Sequence, residues 1–237
     1  MEIKEILLES LHFPFDNITS LAIYLVLGLV FGLVAVLTGV AGMFGVSKSS
    51  GASVVLSLIG VILCLIIYFV ICGYQLDIIK SGITRSNDAP SIDFTRQTLN
   101  GTKLFIVQIV YYIIPVLITL VCALFFSQWL TVLIGCIILV IFSFAETMGE
   151  CRLAETEDLN YALKINEAIE DMERIGTVKV ISALVAIAII ASLISGIIGG
   201  IFGFINQDLG TIVSAIVGIY IIFFENRATG LLYSDIY

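Results

Sequence analysis

Charge is scarce in this chain and absent from long stretches of it. Only 13% of its 237 residues are Asp, Glu, Lys or Arg, and residues 21–44, 52–74 and 104–126 run for 24, 23 and 23 positions without one. A water-soluble fold is excluded, because too little polar surface remains to cover the apolar bulk. Histidine occurs once, as His12 beside Phe13-Pro14-Phe15; a lone histidine next to aromatic residues reads as an interface residue, not a base. No HExxH, Walker A or GxSxG pattern is present, so no catalytic residue, cofactor or metal ligand is assigned and the chain is not expected to be an enzyme. Cysteine is missing from every segment expected outside the cell: Cys64, Cys72, Cys122 and Cys136 lie in apolar runs and Cys151 in an internal segment, so no structural disulfide is expected. The segment before the first run carries Glu2, Glu5, Glu9 and Asp16 against Lys4, without the basic start of a cleaved signal.

What is present is apolar: 59% of residues are hydrophobic and mean hydropathy is +1.13. A helix rises about 1.5 Å per residue, so about 20 apolar residues cross a hydrocarbon core of about 30 Å. Six runs meet that length, at about 21–44, 52–74, 104–126, 129–145, 180–204 and 209–225. The expected fold is all-α: one integral membrane domain over residues 1–237, a polytopic bundle of six spans in three hairpins, with amphipathic interfacial helices on the cytoplasmic side.

Orientation follows from the polar connections. Residues 45–51, 127–128 and 205–208 hold only Lys48, and the other 10 of the 11 Lys and Arg fall on the opposite side. Basic residues mark the cytoplasm, which places the protein in the plasma membrane with both termini inside. Of 19 carboxylates only Asp208 lies outside, so the inner face is net acidic. Such a face repels nucleic-acid phosphates and leaves membrane lipids, a basic cytoplasmic protein or a second copy as partners.

Each hairpin is preceded by a segment with apolar residues at helical spacing. The first has Ile3, Ile6, Leu7 and Leu11 and stops at Pro14. The second, residues 91–103, has Ile92, Phe94 and Leu99. The third is the clearest: one helix over 160–176, docking Ala162, Ile165, Ala168 or Ile169, Met172 and Ile175 on the bundle. Its acids Glu167, Glu170, Asp171 and Glu173 are expected to face water, and Gly176 to end it. The run Glu155, Glu157, Asp158 reads as a solvated face in preference to a cation site.

Small residues nominate packing surfaces: Gly28 and Gly32 in span one, and the rows Ser192-Gly196-Gly200 and Ser195-Gly199-Gly203 in span five, which is expected to be a central packing helix. Gln108, near the start of span three, reads as a snorkelling or interhelical amide, and Pro115 as a kink that either lines a cavity or serves packing. At the cytoplasmic ends Asp77, Glu146, Glu150 and Glu225 are followed by Lys80, Arg152 and Arg227. These are expected to form one ion-pair ring closing that end, with Asp77, Glu146, Glu225 and Arg227 as its candidate cluster.

Several stretches carry a resemblance. They are Gly73-Tyr74 with Ile78-Ile79-Lys80, Leu99-Asn100-Gly101-Thr102-Lys103-Leu104 leading to Pro115, Ile175-Gly176, and Arg227-Ala228-Thr229-Gly230-Leu231-Leu232-Tyr233. In order and spacing the chain resembles an archaeal family of polytopic membrane proteins, domain of unknown function 4013, and is distantly similar to the membrane domain of glycerophosphodiesterases. The resemblance implies an all-helical membrane domain and no active site. Two functions fit these readings: a membrane scaffold or accessory subunit with a cytoplasmic interaction surface, or a transporter or channel-like protein for a neutral or lipidic solute.

Overall fold

The computed structural model describes residues 1–38 and 51–237, without the side chains of residues 51–54 and 208–209. The end of the first predicted span, including Gly39, and the connection holding Lys48 lie outside the described residues, as does the side chain of Asp208. Among the described residues there are nine α-helices, a terminal 3₁₀ turn and no strand. The helices are α1 (Ile3–Asp16), α2 (Ile18–Leu37), α3 (Gly51–Ile83), α4 (Phe94–Ala123), α5 (Gln128–Thr156), α6 (Leu159–Ala162), α7 (Ile165–Ile175), α8 (Thr177–Ile205) and α9 (Gln207–Tyr233). Six of them, α2, α3, α4, α5, α8 and α9, are long and apolar enough to cross a membrane.

The spanning helices outrun the apolar runs. α3 has 33 residues, about 50 Å at 1.5 Å each, and α5 continues through Glu146, Glu150 and Arg152 to Thr156. Charge ends an apolar run but not a helix, since Glu, Lys and Arg are good helix formers. For the same reason residues 91–103 are not a separate surface segment. Asp93 caps α4 by accepting from the Arg96 N–H at 3.1 Å, and the helix runs unbroken from Phe94 through Pro115. α1 likewise continues two residues beyond Pro14. The stop at Gly176 is real: its φ is +107°, a conformation L side chains rarely adopt, and its N–H returns to the Met172 and Glu173 carbonyls.

The core lies at one end of the bundle. Leu76 and Ile79 of α3, Tyr111 of α4, Met148 of α5, Val180 of α8 and Leu231 of α9 are all buried there, with Ile6 of α1 packed among them. At the opposite end Phe204 is 95% exposed and Leu124 80%. Side chains so bare on apolar helices face lipid. We call the two the polar end and the apolar end.

Close backbone approach is set by glycines that no repeat motif marked. A Cβ on Gly101 would sit 1.9 Å from the Phe69 carbonyl oxygen, and one on Gly73 1.9 Å from that of Gln97, so α3 and α4 touch backbone to backbone. Gly82 of α3 and Gly230 of α9 meet in the same way. The nominated glycines are mostly elsewhere. Among the described residues a Cβ on Gly32, Gly196, Gly200 or Gly203 meets nothing within 4 Å, and on Gly28 only Ile219 at 3.9 Å. Gly199 does pack, on the Ser214 hydroxyl, and Gly203 receives Gly210. Span five is therefore not central; its small rows touch α9 alone near the turn at Asn206 and face open space beyond it. The centre is taken by α3, which packs on α2, α4, α5 and α9.

Candidate functional site

Three polar networks occupy the polar end, each tying a connecting segment to the spans. In the first, Arg96 donates twice to Asp77, to Oδ1 at 2.8 Å and Oδ2 at 2.9 Å, a paired geometry suited to a planar guanidinium. Gln97 adds a third bond to Asp77 Oδ2 at 2.9 Å. Lys80 turns away from Asp77 and donates to Glu157 at 2.8 Å, which Arg96 reaches at 3.2 Å. Glu157 sits in the left-handed region at φ 55°, ending α5. The Lys80 hydrogen bond, with Asn100 and the charge of Arg96, holds the Glu157 carboxyl down at about 2 despite partial burial. The sign is fixed: a lowered carboxyl contributes stability above its ordinary value of 4.5 and loses it as pH falls towards 2. We expect Glu157→Gln to cost about 1 kcal/mol at pH 7, as half-exposed pairs do. In a pH series of thermal melts, the gap between variant and wild type should close between pH 4.5 and 2. A gap constant across that window would refute the assignment.

The second network is buried. Arg152, 1% exposed, donates to Asp171 Oδ2 at 2.5 Å and to Glu167, and its guanidinium lies 3.7 Å over the Tyr161 ring. Tyr233 donates to the same Asp171 oxygen at 3.1 Å. The predicted single helix over 160–176 is thereby corrected in two ways. It breaks at residues 163–164, where the Ala162 carbonyl accepts the Tyr111 hydroxyl at 3.0 Å instead of carrying the helix onward. Its inward row is Ala168, Asp171 and Ile175 with Met172 alongside, whereas Ile169 is 37% exposed. A buried Arg152 needs an anion, and that need turns Asp171 inward and rotates Ile169 out. Lys164, with Arg152 behind it, lowers the Glu167 carboxyl. Glu170 and Glu173 remain exposed.

In the third network Arg227, fully buried, donates to Glu9 at 2.6 Å, to the Ser86 carbonyl at 2.6 Å and to Asn87, and stacks 4.7 Å over the Phe13 ring. Glu9 and Phe13 belong to α1, so this arginine anchors α1 to α9. Tyr220 adds a bond to the Leu11 carbonyl at 2.7 Å.

The single ring does not form. Asp77 and Arg227 are ion-paired, but to Arg96 and Glu9. Among the described residues Glu146, Glu150 and Glu225 make no ion pair. Glu146 is buried, and Glu150 accepts from Gln108 at 3.0 Å, which makes Gln108 an interhelical amide. Glu150 and Glu225 instead line a recess of about 410 Å³ with Gln75, Asn226, Ser143, Thr147 and Thr229, backed by Leu184, Ile187 and Ala188 of α8. Sequence reading missed it because its polar groups come from three helices with no common motif. The acids of the 155–158 run diverge: Glu157 to Lys80, Asp158 to the Asn160 N–H, Glu155 to the Tyr237 hydroxyl. Among the described residues no group of three or more His, Cys, Asp or Glu is placed to hold a metal ion.

Comparison with known proteins bears on this architecture. Residues 56–206, more than half of the chain, match the model of a family described as protein of unknown function (DUF4013). The chain belongs to the DUF4013 family. The family match starts in α3 and closes at the end of α8, so it takes in Asp77, Arg96, Glu150, Arg152 and Asp171 and stops short of Glu225 and Arg227 in α9. No curated protein and no solved structure matches the chain. Family and fold together describe an integral membrane protein of unknown activity.

Proposed function

We propose that this chain is a non-enzymatic scaffold or accessory subunit of the plasma membrane, its six spans arranged as three hairpins with both termini and its working surface in the cytoplasm. The observation that carries the reading is where order is concentrated. Core, ion networks, α1, α6 and α7 all sit at the polar end, while the apolar ends of the spans leave large hydrophobic side chains exposed. Ten of 11 basic residues on that side favour the cytoplasm. The proposal carries with it an archaeal source and a distant relation to the membrane domain of glycerophosphodiesterases. The partner is a basic cytoplasmic protein or a second copy, drawn to the exposed acids Glu170 and Glu173; membrane lipids surround the spans, and nucleic acid is repelled. Crosslinking in native membranes should return such a complex. Replacing Glu170 and Glu173 by Gln should cut its yield several-fold and leave the melting temperature unchanged. Recovery of monomer alone would defeat the proposal. A second reading is passage of a neutral or lipidic solute, the lipidic case favoured by the hydrocarbon wall of the recess beside Glu150; flux in proteoliposomes would put it ahead of the first.

A further inference from the structure

The recess between α3, α5, α8 and α9 has a lining that calls for a particular ligand chemistry. Three of its polar side chains have a donor spent on their own helices, and Gln75 and Thr229 line it beside them. Ser143 donates to the Val140 carbonyl at 2.8 Å, Thr147 to that of Ser143 at 2.9 Å, and Asn226 to that of Ile222 at 2.7 Å. Each of the three keeps an oxygen able to accept, beside the carboxyl groups of Glu150 and Glu225. Basic residues of the polar end are committed elsewhere: Lys80 and Arg96 to Glu157 and Asp77, Arg152 to Asp171 and Glu167, Arg227 to Glu9, Arg85 and Lys179 to Asp235. Among the described residues no basic residue lines the recess. Two carboxyl groups with no basic residue beside them select a ligand that donates and is positively charged.

The remaining wall is hydrocarbon, from Phe144, Leu184, Ile187, Ala188 and Ile222. A hard divalent ion wants six or more oxygens around it, whereas this wall offers contact to carbon. Glu225 lies about 24 Å along the helix from Leu209, near one boundary of a hydrocarbon core of about 30 Å. We propose that the recess binds an alkylammonium group, its N–H donors on Glu150, Glu225 and the side-chain oxygens and its alkyl part on the α8 wall. An aminolipid headgroup and a free aliphatic amine share this chemistry, and the volume of about 410 Å³ admits either.

The test uses the whole protein in phosphatidylcholine nanodiscs with hexylamine as probe and hexanol as its neutral counterpart. Hexylamine should bind at least tenfold more tightly than hexanol. Glu225→Gln, which breaks no bond in the fold, should remove that preference with the melting temperature unchanged. Glu150→Gln, which keeps an acceptor for Gln108, should do the same. Native mass spectrometry then separates the sources. Phosphatidylethanolamine retained over phosphatidylglycerol, and displacing hexylamine, identifies the lipid headgroup; hexylamine binding untouched by phosphatidylethanolamine identifies a free amine. Equal binding of hexylamine and hexanol, or a preference that survives both substitutions, overturns the proposal.

Discussion

Replacing Arg152 by Met will lower the unfolding free energy of the bundle by about 3–5 kcal/mol, the range found when one partner of a buried ion pair is removed. Arg152 and Asp171 are 1% and 4% exposed, so the carboxylate left behind would be dry, with the Tyr233 hydroxyl and the solvent-exposed Arg174, 3.6 Å away, left to balance it. The loss comes from that stranded charge more than from the missing attraction, and this distinguishes the account from simple packing damage. Asp171→Asn in the same chain removes the charge and keeps an acceptor for Tyr233. The double variant should regain the larger part of the loss. Unfolding in mixed micelles measures both, and limited proteolysis around α7 should show the segment released in the single variant only. A single variant that loses less than about 1 kcal/mol would make Arg152 an ordinary surface residue.

Gly101→Ala is expected to cost about 3 kcal/mol, at the upper end for overpacking by one carbon. Its Cβ would lie 1.9 Å from the Phe69 carbonyl oxygen, a backbone atom that cannot rotate away. α3 and α4 would have to separate, taking Gly73 off Gln97 and straining the paired bonds between Arg96 and Asp77. Gly196→Ala is the contrast. Nothing lies within 4 Å of its Cβ, and alanine is the better helix former by about 1 kcal/mol. Gly196→Ala should therefore be neutral or slightly stabilising in the same assay. Equal losses at both positions would contradict the packing described here.

That pair of glycines also shows what the sequence could disclose. Six spans are legible because apolar length is dictated by the membrane and nothing else in the chain imitates it. Glycine spacing is not legible in the same way. A small residue permits close approach but does not supply the neighbour, so the rows at Gly196 and Gly200 look like packing surfaces and face open space, while Gly101, in the polar stretch from Asn100 to Lys103, carries a contact as tight as that of Gly73. The ends of spans mislead for a related reason. Asp77, Glu146 and Arg152 break the apolar run yet remain helical, so the bundle extends past the boundary the hydropathy suggests. The facing of α7 was hidden because an inward acid contradicts amphipathic spacing. A signal existed, however: Arg152 stands between Cys151 and Leu153-Ala154, an apolar setting in which an arginine has to recruit a carboxylate from another segment. The recess at Glu150 and Glu225 left no signal, since its lining is assembled only when α3, α5 and α9 meet.

The anchor between Arg227 and Glu9 joins residues 218 positions apart. A ribosome adding about 5–20 residues per second needs about 10–40 s to cover that interval. Throughout it α1 has no last helix to grip, and the buried guanidinium that will hold it has not yet been made. Insertion of the earlier helices therefore proceeds with the amino-terminal segment loose on the membrane surface, and the bundle locks only when its final helix emerges. A chain halted before Arg227 would present that loose segment to proteases, giving quality control a direct test of whether synthesis was completed.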